Sequence, residues 1–153
     1  MKWLLLLHVL GAVMFIGNVV TAAFWKIRAE RSGELSHIHR TAKNVMIADY
    51  AFTLPGIVLL IGTGEMMAGQ LGYSHADWNW MTVSLALFVL TGLLWAAVLI
   101  PNQRIMIRES ERSLREGKLT PRYRKASRTW DNVGLLASLM PLAVLVLMVV
   151  KPF

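Results

Sequence analysis

Cysteine is absent from this sequence of 153 residues, and acidic residues are few. The lack of thiols excludes disulfides, thiolate metal sites and thiol catalysis. Nine Asp and Glu residues are outnumbered by 16 Lys and Arg residues, which gives a formal net charge of +7. In a soluble protein such a charge suggests nucleic acid, but 56% of the residues here are hydrophobic, too many for a soluble domain with a polar exterior. We therefore expect a membrane protein that does not bind nucleic acid.

Four apolar segments alternate with polar connections along the chain. Each segment approaches or exceeds the roughly 20 residues that are needed to cross a hydrocarbon core. The first is longer than the apolar part of a typical signal peptide and is followed at once by basic residues, so we expect it to be retained. The sequence predicts an all-α fold and a single membrane domain over 1–153, an antiparallel bundle of four transmembrane helices with spans at about 3–25, 45–64, 78–100 and 133–150.

The connections between these segments differ sharply in charge. Five of the 16 basic residues lie within 26–43 and nine lie within 104–128, whereas the connection 65–77 has none. The positive-inside rule therefore predicts that the first and third connections are cytoplasmic and that both termini are periplasmic, in a bacterial inner membrane. Anionic lipid headgroups are the natural partners of such basic connections. A homo-oligomer is compatible with this arrangement.

Helix start and stop signals extend the helices beyond the apolar spans. Gly33 should end the first helix, and Ser32 is a candidate cap for a second helix that begins about ten residues before its apolar part. Gly117 has the character of a helix end, and Thr120-Pro121 that of an N-cap followed by the first helical residue. The third helix should then be roughly 58 Å long. We expect it to project, together with the fourth, into the cytoplasm.

Polar residues inside the spans are few and should face the bundle interior, because an unsatisfied polar group costs several kcal/mol in lipid. His8 lies near the outer end of the first span, and Gly11, Phe15 and Asn18 share its helical face. One interpretation is a structural imidazole that donates to a neighbouring carbonyl. The other is a metal site, in which His8 is an axial ligand to the iron of haem b, Gly11 makes room for the macrocycle and Phe15 packs on it.

The second axial ligand is harder to assign. His37 and His39 belong to the cytoplasmic start of the second helix, whereas His75 lies in the outer connection, so topology favours His75. Met66 and Met67 are also on the outer side and could supply a thioether to haem or Cu(I). Zinc fits less well, because no two histidines share a helical face within a span.

A second group of polar residues gathers near the cytoplasmic boundary. Charge pairing is one interpretation, in which Asp49 and Asp131 are neutralised by Arg104, Arg128 or Lys43. The other is a cytoplasm-facing pocket for the polar group of a quinone or a porphyrin propionate, with arginine as a carboxylate clamp. Such a substrate pocket would be formed by Asn18, Asp49, Trp95, Arg104 and Asp131.

Short motifs are spread over nearly the whole chain: Leu7-His8 followed by Phe15 and Gly17-Asn18, then 52–56, 92–95 and 149–153. Together they resemble a bacterial family of predicted four-span integral membrane proteins of unknown function. More remotely, the first span and the terminal segment are similar to the HemJ-type protoporphyrinogen oxidases, which are four-helix haem b proteins. That resemblance implies haem at His8, but the His-x-Lys that begins the third span of those proteins is absent here.

Two classes of function follow from these observations. The first is an inner-membrane haem b redox protein, an oxidoreductase acting on or with a quinone-like or tetrapyrrole partner. The alternative is a non-enzymatic membrane scaffold or accessory subunit, in which the same polar residues only hold helices together. The fold itself assigns no chemistry, so the choice depends on the geometry of the sites.

Overall fold

The computed structural model describes residues 1–152. Within them the chain forms four long helices and no strand: α1 Lys2–Ser32, α2 Leu35–Leu71, α3 Trp80–Glu116 and α4 Pro121–Val150. Each helix is long and apolar enough to cross a membrane. The predicted all-α bundle of four transmembrane helices is therefore confirmed.

The apolar stretches of all four helices are mostly not covered by protein. Only 17% to 28% of the residues in the most apolar part of each helix are buried within the chain. Large side chains such as Leu5, Val9, Val13 and Val20 on α1 are half exposed or more. In water such a surface would be strongly unfavourable, whereas in lipid it contacts hydrocarbon.

The helix ends follow the local signals of the sequence in most places. Gly33 and Gly117 adopt left-handed conformations, with φ of 69° and 72°, and end α1 and α3 as predicted. Thr120 caps α4 by accepting a hydrogen bond from the amide of Tyr123 at 3.2 Å, also as predicted. Ser32 was wrongly predicted to cap α2. It is the last residue of α1, and its hydroxyl donates to the Ala29 carbonyl, because the turn begins only at Gly33.

The second helix begins at Leu35, ten residues before the apolar segment, and the third runs on to Glu116. Each of these helices has 37 residues, or about 55 Å, which exceeds a hydrocarbon core of about 30 Å. Their charged halves lie side by side, and His39 bonds Ser110 across them at 2.8 Å. We call this end of the bundle, with Gly33 and Gly117, the basic end, and the end with Gly72 the opposite end.

Both α2 and α3 contain a widened π-helical turn in the apolar region, at Asp49–Thr53 and at Trp95–Leu99. In each case a proline, Pro55 or Pro101, lies two residues after the end of the turn. Proline has no amide hydrogen and its ring collides with the carbonyl four residues earlier, and a wider turn relieves both constraints. The first of these turns contains two buried polar residues, Asp49 and Thr53, which belong to the candidate functional site.

Candidate functional site

A buried group of polar residues in the spans is centred on Asp49, whose exposed fraction is 6%. Asn18 donates to its Oδ1 at 2.9 Å, and the Thr53 hydroxyl donates to the same oxygen at 2.8 Å. Gln103 of α3 donates to Oδ2 at 2.9 Å. Asn18 also donates to Thr53 at 2.9 Å, which closes the group. Three helices therefore meet at one carboxyl group, and we call these four residues the Asp49 cluster.

All three hydrogen-bond donors to Asp49 are neutral. Among residues 1–152, no basic side chain forms an ion pair with this carboxyl group. Arg104, Arg128 and Lys43, the partners that charge pairing predicted for it, are all exposed. That interpretation of Asp49 is not supported, because these long side chains lie at the solvated surface of the basic end, where their charges are hydrated.

Asp131 does form an ion pair, but with a residue that the sequence did not single out. Lys26 is 4% exposed, and its Nζ lies 2.7 Å from Asp131 Oδ1 and 3.0 Å from Glu30 Oε1. Nζ also donates to the Ser127 hydroxyl at 2.8 Å and lies 5.2 Å from the centre of the Trp130 ring. The signal for this arrangement was weak: Lys26 directly follows an apolar span, and only its spacing to Glu30 suggested a partner.

A small cavity of about 10 Å³ separates the Asp49 cluster from Lys26. Two polar atoms of its lining residues, Oε1 of Gln103 and Nε1 of Trp130, are buried without a hydrogen-bond partner. A space of this size corresponds to about one water molecule, far below the 300 Å³ or more of a typical ligand pocket. The lining residues are Lys26, Ala42, Val45, Gln103, Met106 and Trp130.

The five predicted substrate-pocket residues are thus divided among different surroundings. Asn18 contacts Asp49, and Asp131 contacts Lys26, but Arg104 is exposed and joins neither group. Trp95 packs against the hydrophobic core with its Nε1 unpartnered, and it does not line the small cavity. Gln103, Thr53 and Lys26 complete the two groups and were not among the predicted pocket residues. Their exact partners depend on how the helices rotate, which spacing within one helix does not define.

His8 forms a separate site towards the opposite end. Its Nδ1 lies 2.9 Å from the hydroxyl of Thr63 on α2, and that hydroxyl donates its own hydrogen to the Leu59 carbonyl. The Thr63 oxygen must therefore accept a hydrogen bond from Nδ1–H. This assignment leaves the lone pair of His8 on Nε2, and the Leu60 backbone also forms a hydrogen bond with the ring. An imidazole that is oriented through its other nitrogen has the form of a metal ligand.

The predicted surroundings of a haem at His8 do not fit as expected. A Cβ on Gly11 would lie 2.9 Å from Leu59 Cβ and 3.1 Å from the Gly56 carbonyl, so the space beside Gly11 is filled by α2. Phe15 is 2% exposed, and its ring contacts Phe88 edge-on at 5.4 Å. Both residues therefore lie in close contact between helices, and the haem-binding role of Gly11 and Phe15 stays a prediction.

The other histidines are occupied elsewhere. His75 Nε2 lies 2.9 Å from Glu65 Oε2, and both side chains are about half exposed. His37 and His39 lie at the start of α2 at the basic end, as predicted, where His39 bonds Ser110. No group of three or more His, Cys, Asp or Glu residues that could hold a metal ion occurs in the part of the chain that the structure describes.

Four apolar helices with polar groups buried between them define an integral membrane protein. The chain belongs to the family DUF2269, described as a predicted integral membrane protein, whose model matches residues 2–152. The predicted family is therefore confirmed. No curated protein and no solved structure matches the chain.

Proposed function

We propose that this membrane protein takes up and releases one proton at Asp49. The observation that carries this proposal is a carboxyl group, 6% exposed, that accepts three hydrogen bonds from neutral donors and has no cationic partner among residues 1–152. Ionisable residues inside membrane helices are costly to bury, so they commonly mark ion or proton pathways.

The cost of burial favours a proton as the ligand. Burying an ionised carboxylate without a cation is costly. A bound proton removes the charge without needing additional space. Oδ1 already accepts from Asn18 and Thr53, whereas Oδ2 accepts only from Gln103. Oδ2 is therefore the oxygen that binds the proton in this proposal.

Vibrational spectroscopy of the protein in lipid nanodiscs tests this proposal. The wild type should show a protonated-carboxyl stretching band over part of the accessible pH range, and Asp49→Asn should lack it. Asp131→Asn, which changes a 45%-exposed carboxylate paired with Lys26, should keep the band. If the wild type and Asp49→Asn have the same spectrum at every pH, Asp49 does not carry the proton. If sodium alone alters the carboxylate bands, a metal cation is the ligand instead.

We also propose that the basic end faces the cytoplasm of a bacterial inner membrane. Reporter fusions inserted at Gly33 and Gly117 should then report a cytoplasmic location, and a fusion at Gly72 a periplasmic one, since basic connections are retained inside. Gly72 ends α2 and begins the connection to α3 at the opposite end. A cytoplasmic signal from Gly72 would contradict the proposed orientation.

A second candidate function is haem b redox chemistry, and the position of the His8 lone pair favours it. The Thr63 hydroxyl holds Nδ1 and leaves Nε2 free to bind iron, although Gly11 and Phe15 offer no space for the macrocycle. A haem held there would lie at the surface of the chain, in contact with lipid or with a second copy. It would supply one-electron chemistry towards a quinone-like or tetrapyrrole partner.

Proton uptake and redox chemistry are compatible within one protein, because reduction of a quinone consumes protons. The competing class is a scaffold or accessory subunit with neither activity. A purified protein that lacks both the Asp49 carboxyl band and any bound pigment would support that class.

A further inference from the structure

We propose that an open groove on the exposed face of α4, at the basic end, binds the headgroup of one anionic phospholipid. The groove has a volume of about 480 Å³, which lies within the range of small-molecule sites. It shares no residue with the Asp49 cluster. All of its lining residues belong to α4: Pro121, Arg124, Lys125, Arg128, Thr129 and Asn132.

The charges of the groove are of one sign. Arg124, Lys125 and Arg128 are exposed, and none of them forms an ion pair among residues 1–152. No acidic side chain lines the groove. Asp131 is next to Asn132 in the chain, but its Oδ1 lies 2.7 Å from Lys26 Nζ, which neutralises it. Three positive charges are therefore left to attract an anion.

The donors of the groove suit a phosphate group. Arg124 and Arg128 are four residues apart on one helix, so their Cβ atoms are separated by about 5–6 Å and their side chains are neighbours. A guanidinium group can donate two parallel hydrogen bonds to phosphate oxygens, and lysine adds a point charge. Asn132 supplies an uncharged amide donor on the membrane side of the groove.

The groove lies where α4 leaves the hydrocarbon core. Asn132 directly precedes the apolar segment 133–150, and Arg128 lies about 7 Å before that segment along the helix axis. The headgroup layer on each side of a bilayer is about 5–8 Å thick. Asn132 and Arg128 are therefore at or near the level of the lipid phosphates, and Arg124 lies one turn further towards water.

The same face of α4 continues into the part of the helix that contacts lipid. The helix is uninterrupted from Pro121 to Val150, so at 100° per residue Leu135 and Leu139 lie within about 20° of Arg128 around its axis. Both leucines are more than half exposed. A phospholipid, with a phosphate joined to acyl chains, matches the basic groove and the leucines together. An acidic soluble protein or a free phosphate matches only the charges.

Native mass spectrometry of the full-length protein in a neutral detergent tests this site. Titration with phosphatidylglycerol, or with phosphatidylcholine that has the same acyl chains, measures the dissociation constant of the first bound lipid. The wild type should prefer phosphatidylglycerol. The double variant Arg124→Gln, Arg128→Gln should bind it about thirtyfold more weakly, the factor that corresponds to about 1 kcal/mol for each basic residue near anionic headgroups.

The matched control is the double variant Arg115→Gln, Lys118→Gln, which removes the same charge from exposed residues of the basic end. Arg115 lies about 22 Å beyond the apolar segment that ends at Ile100, too far to contact a lipid phosphate. This variant should bind phosphatidylglycerol as tightly as the wild type. Equal weakening in both double variants would show that affinity follows net charge, and it would overturn the site.

Two measurements on the wild type test the lipid without any substitution. Equal affinity for phosphatidylglycerol and phosphatidylcholine would overturn the proposal and favour an acidic protein as the partner of the groove. Glycerophosphoglycerol, which is the headgroup without acyl chains, should not displace the lipid at the same concentration. Displacement would assign the groove to a soluble phosphate ester and overturn a lipid as its occupant. None of these results depends on the Asp49 carboxyl band.

Discussion

Replacing Lys26 by methionine should lower the free energy of unfolding by about 3 kcal/mol, the lower part of the range for breaking a buried ion pair. The Lys26 side chain is 5% exposed, and its ammonium group pairs with Glu30 and Asp131. Its removal therefore leaves both carboxylates without a cationic partner. The loss stays at the low end because these carboxylates are 25% and 45% exposed and keep contact with water. Equilibrium unfolding of the protein in mixed micelles measures the change.

Arg112→Met is the matched control for this prediction. Arg112 and Glu116 also form a pair with i,i+4 spacing, at 2.7 Å, but their side chains are 57% and 38% exposed. Exposed pairs of this kind contribute little, so the unfolding curve should not change measurably. In the double variant Lys26→Met, Asp131→Asn, part of the lost stability should return, because one uncompensated carboxylate has been removed. Equal effects of Lys26→Met and Arg112→Met would contradict the assigned role of the Lys26 ion pair.

The positions of the helices could be predicted from the sequence because they depend on local properties. Apolar length defines the four spans, and glycine is the residue that most readily takes the left-handed conformation seen at Gly33 and Gly117. Thr120 followed by Pro121 defines a helix start in the same local way. The failure at Ser32 shows the limit of such signals, since a serine beside a glycine suits either the last turn of one helix or the cap of the next.

The side-chain partners could not be predicted, because they depend on how distant helices rotate against each other. Lys26 and Asp131 are 105 residues apart, and Asp49 and Gln103 are 54 apart. The π-helical turn at Asp49–Thr53 changes the angular spacing of α2 in the middle of its apolar region. A helical wheel drawn at 100° per residue therefore assigns residues beyond that turn to the wrong face of α2. Charge pairing was therefore offered as an interpretation for both Asp49 and Asp131, although only Asp131 forms an ion pair.

Gly11 shows a different limit of sequence reasoning. A glycine on the face of a polar residue is compatible with space for a cofactor and equally with close contact between two helices. The structure shows contact, because Gly56 lies opposite Gly11, and an added Cβ on Gly56 would lie 3.0 Å from the Gly11 carbonyl. Only the position of the second glycine distinguishes the two cases, and it is 45 residues further along the chain.

If haem b is bound as proposed, His8→Ala should abolish or strongly shift its Soret band in protein that was expressed with sufficient haem and purified in lipid. The axial imidazole is the iron anchor in this proposal, whereas a structural histidine would cost only a helix contact of about 1 kcal/mol. Thr63→Val should keep the haem but shift the band or the reduction potential, because Nδ1–H loses its acceptor and the basicity of the ligand changes.

The remaining histidines supply the controls for this spectrum. His37→Ala and His39→Ala should leave it unchanged, since both lie at the basic end, far from His8 across a hydrocarbon core of about 30 Å. His75→Ala decides the second ligand: a spectral change identifies His75, and an unchanged spectrum points to a methionine or to five-coordinate iron. A colourless wild type, or an unaltered band in His8→Ala, would remove His8 as the ligand.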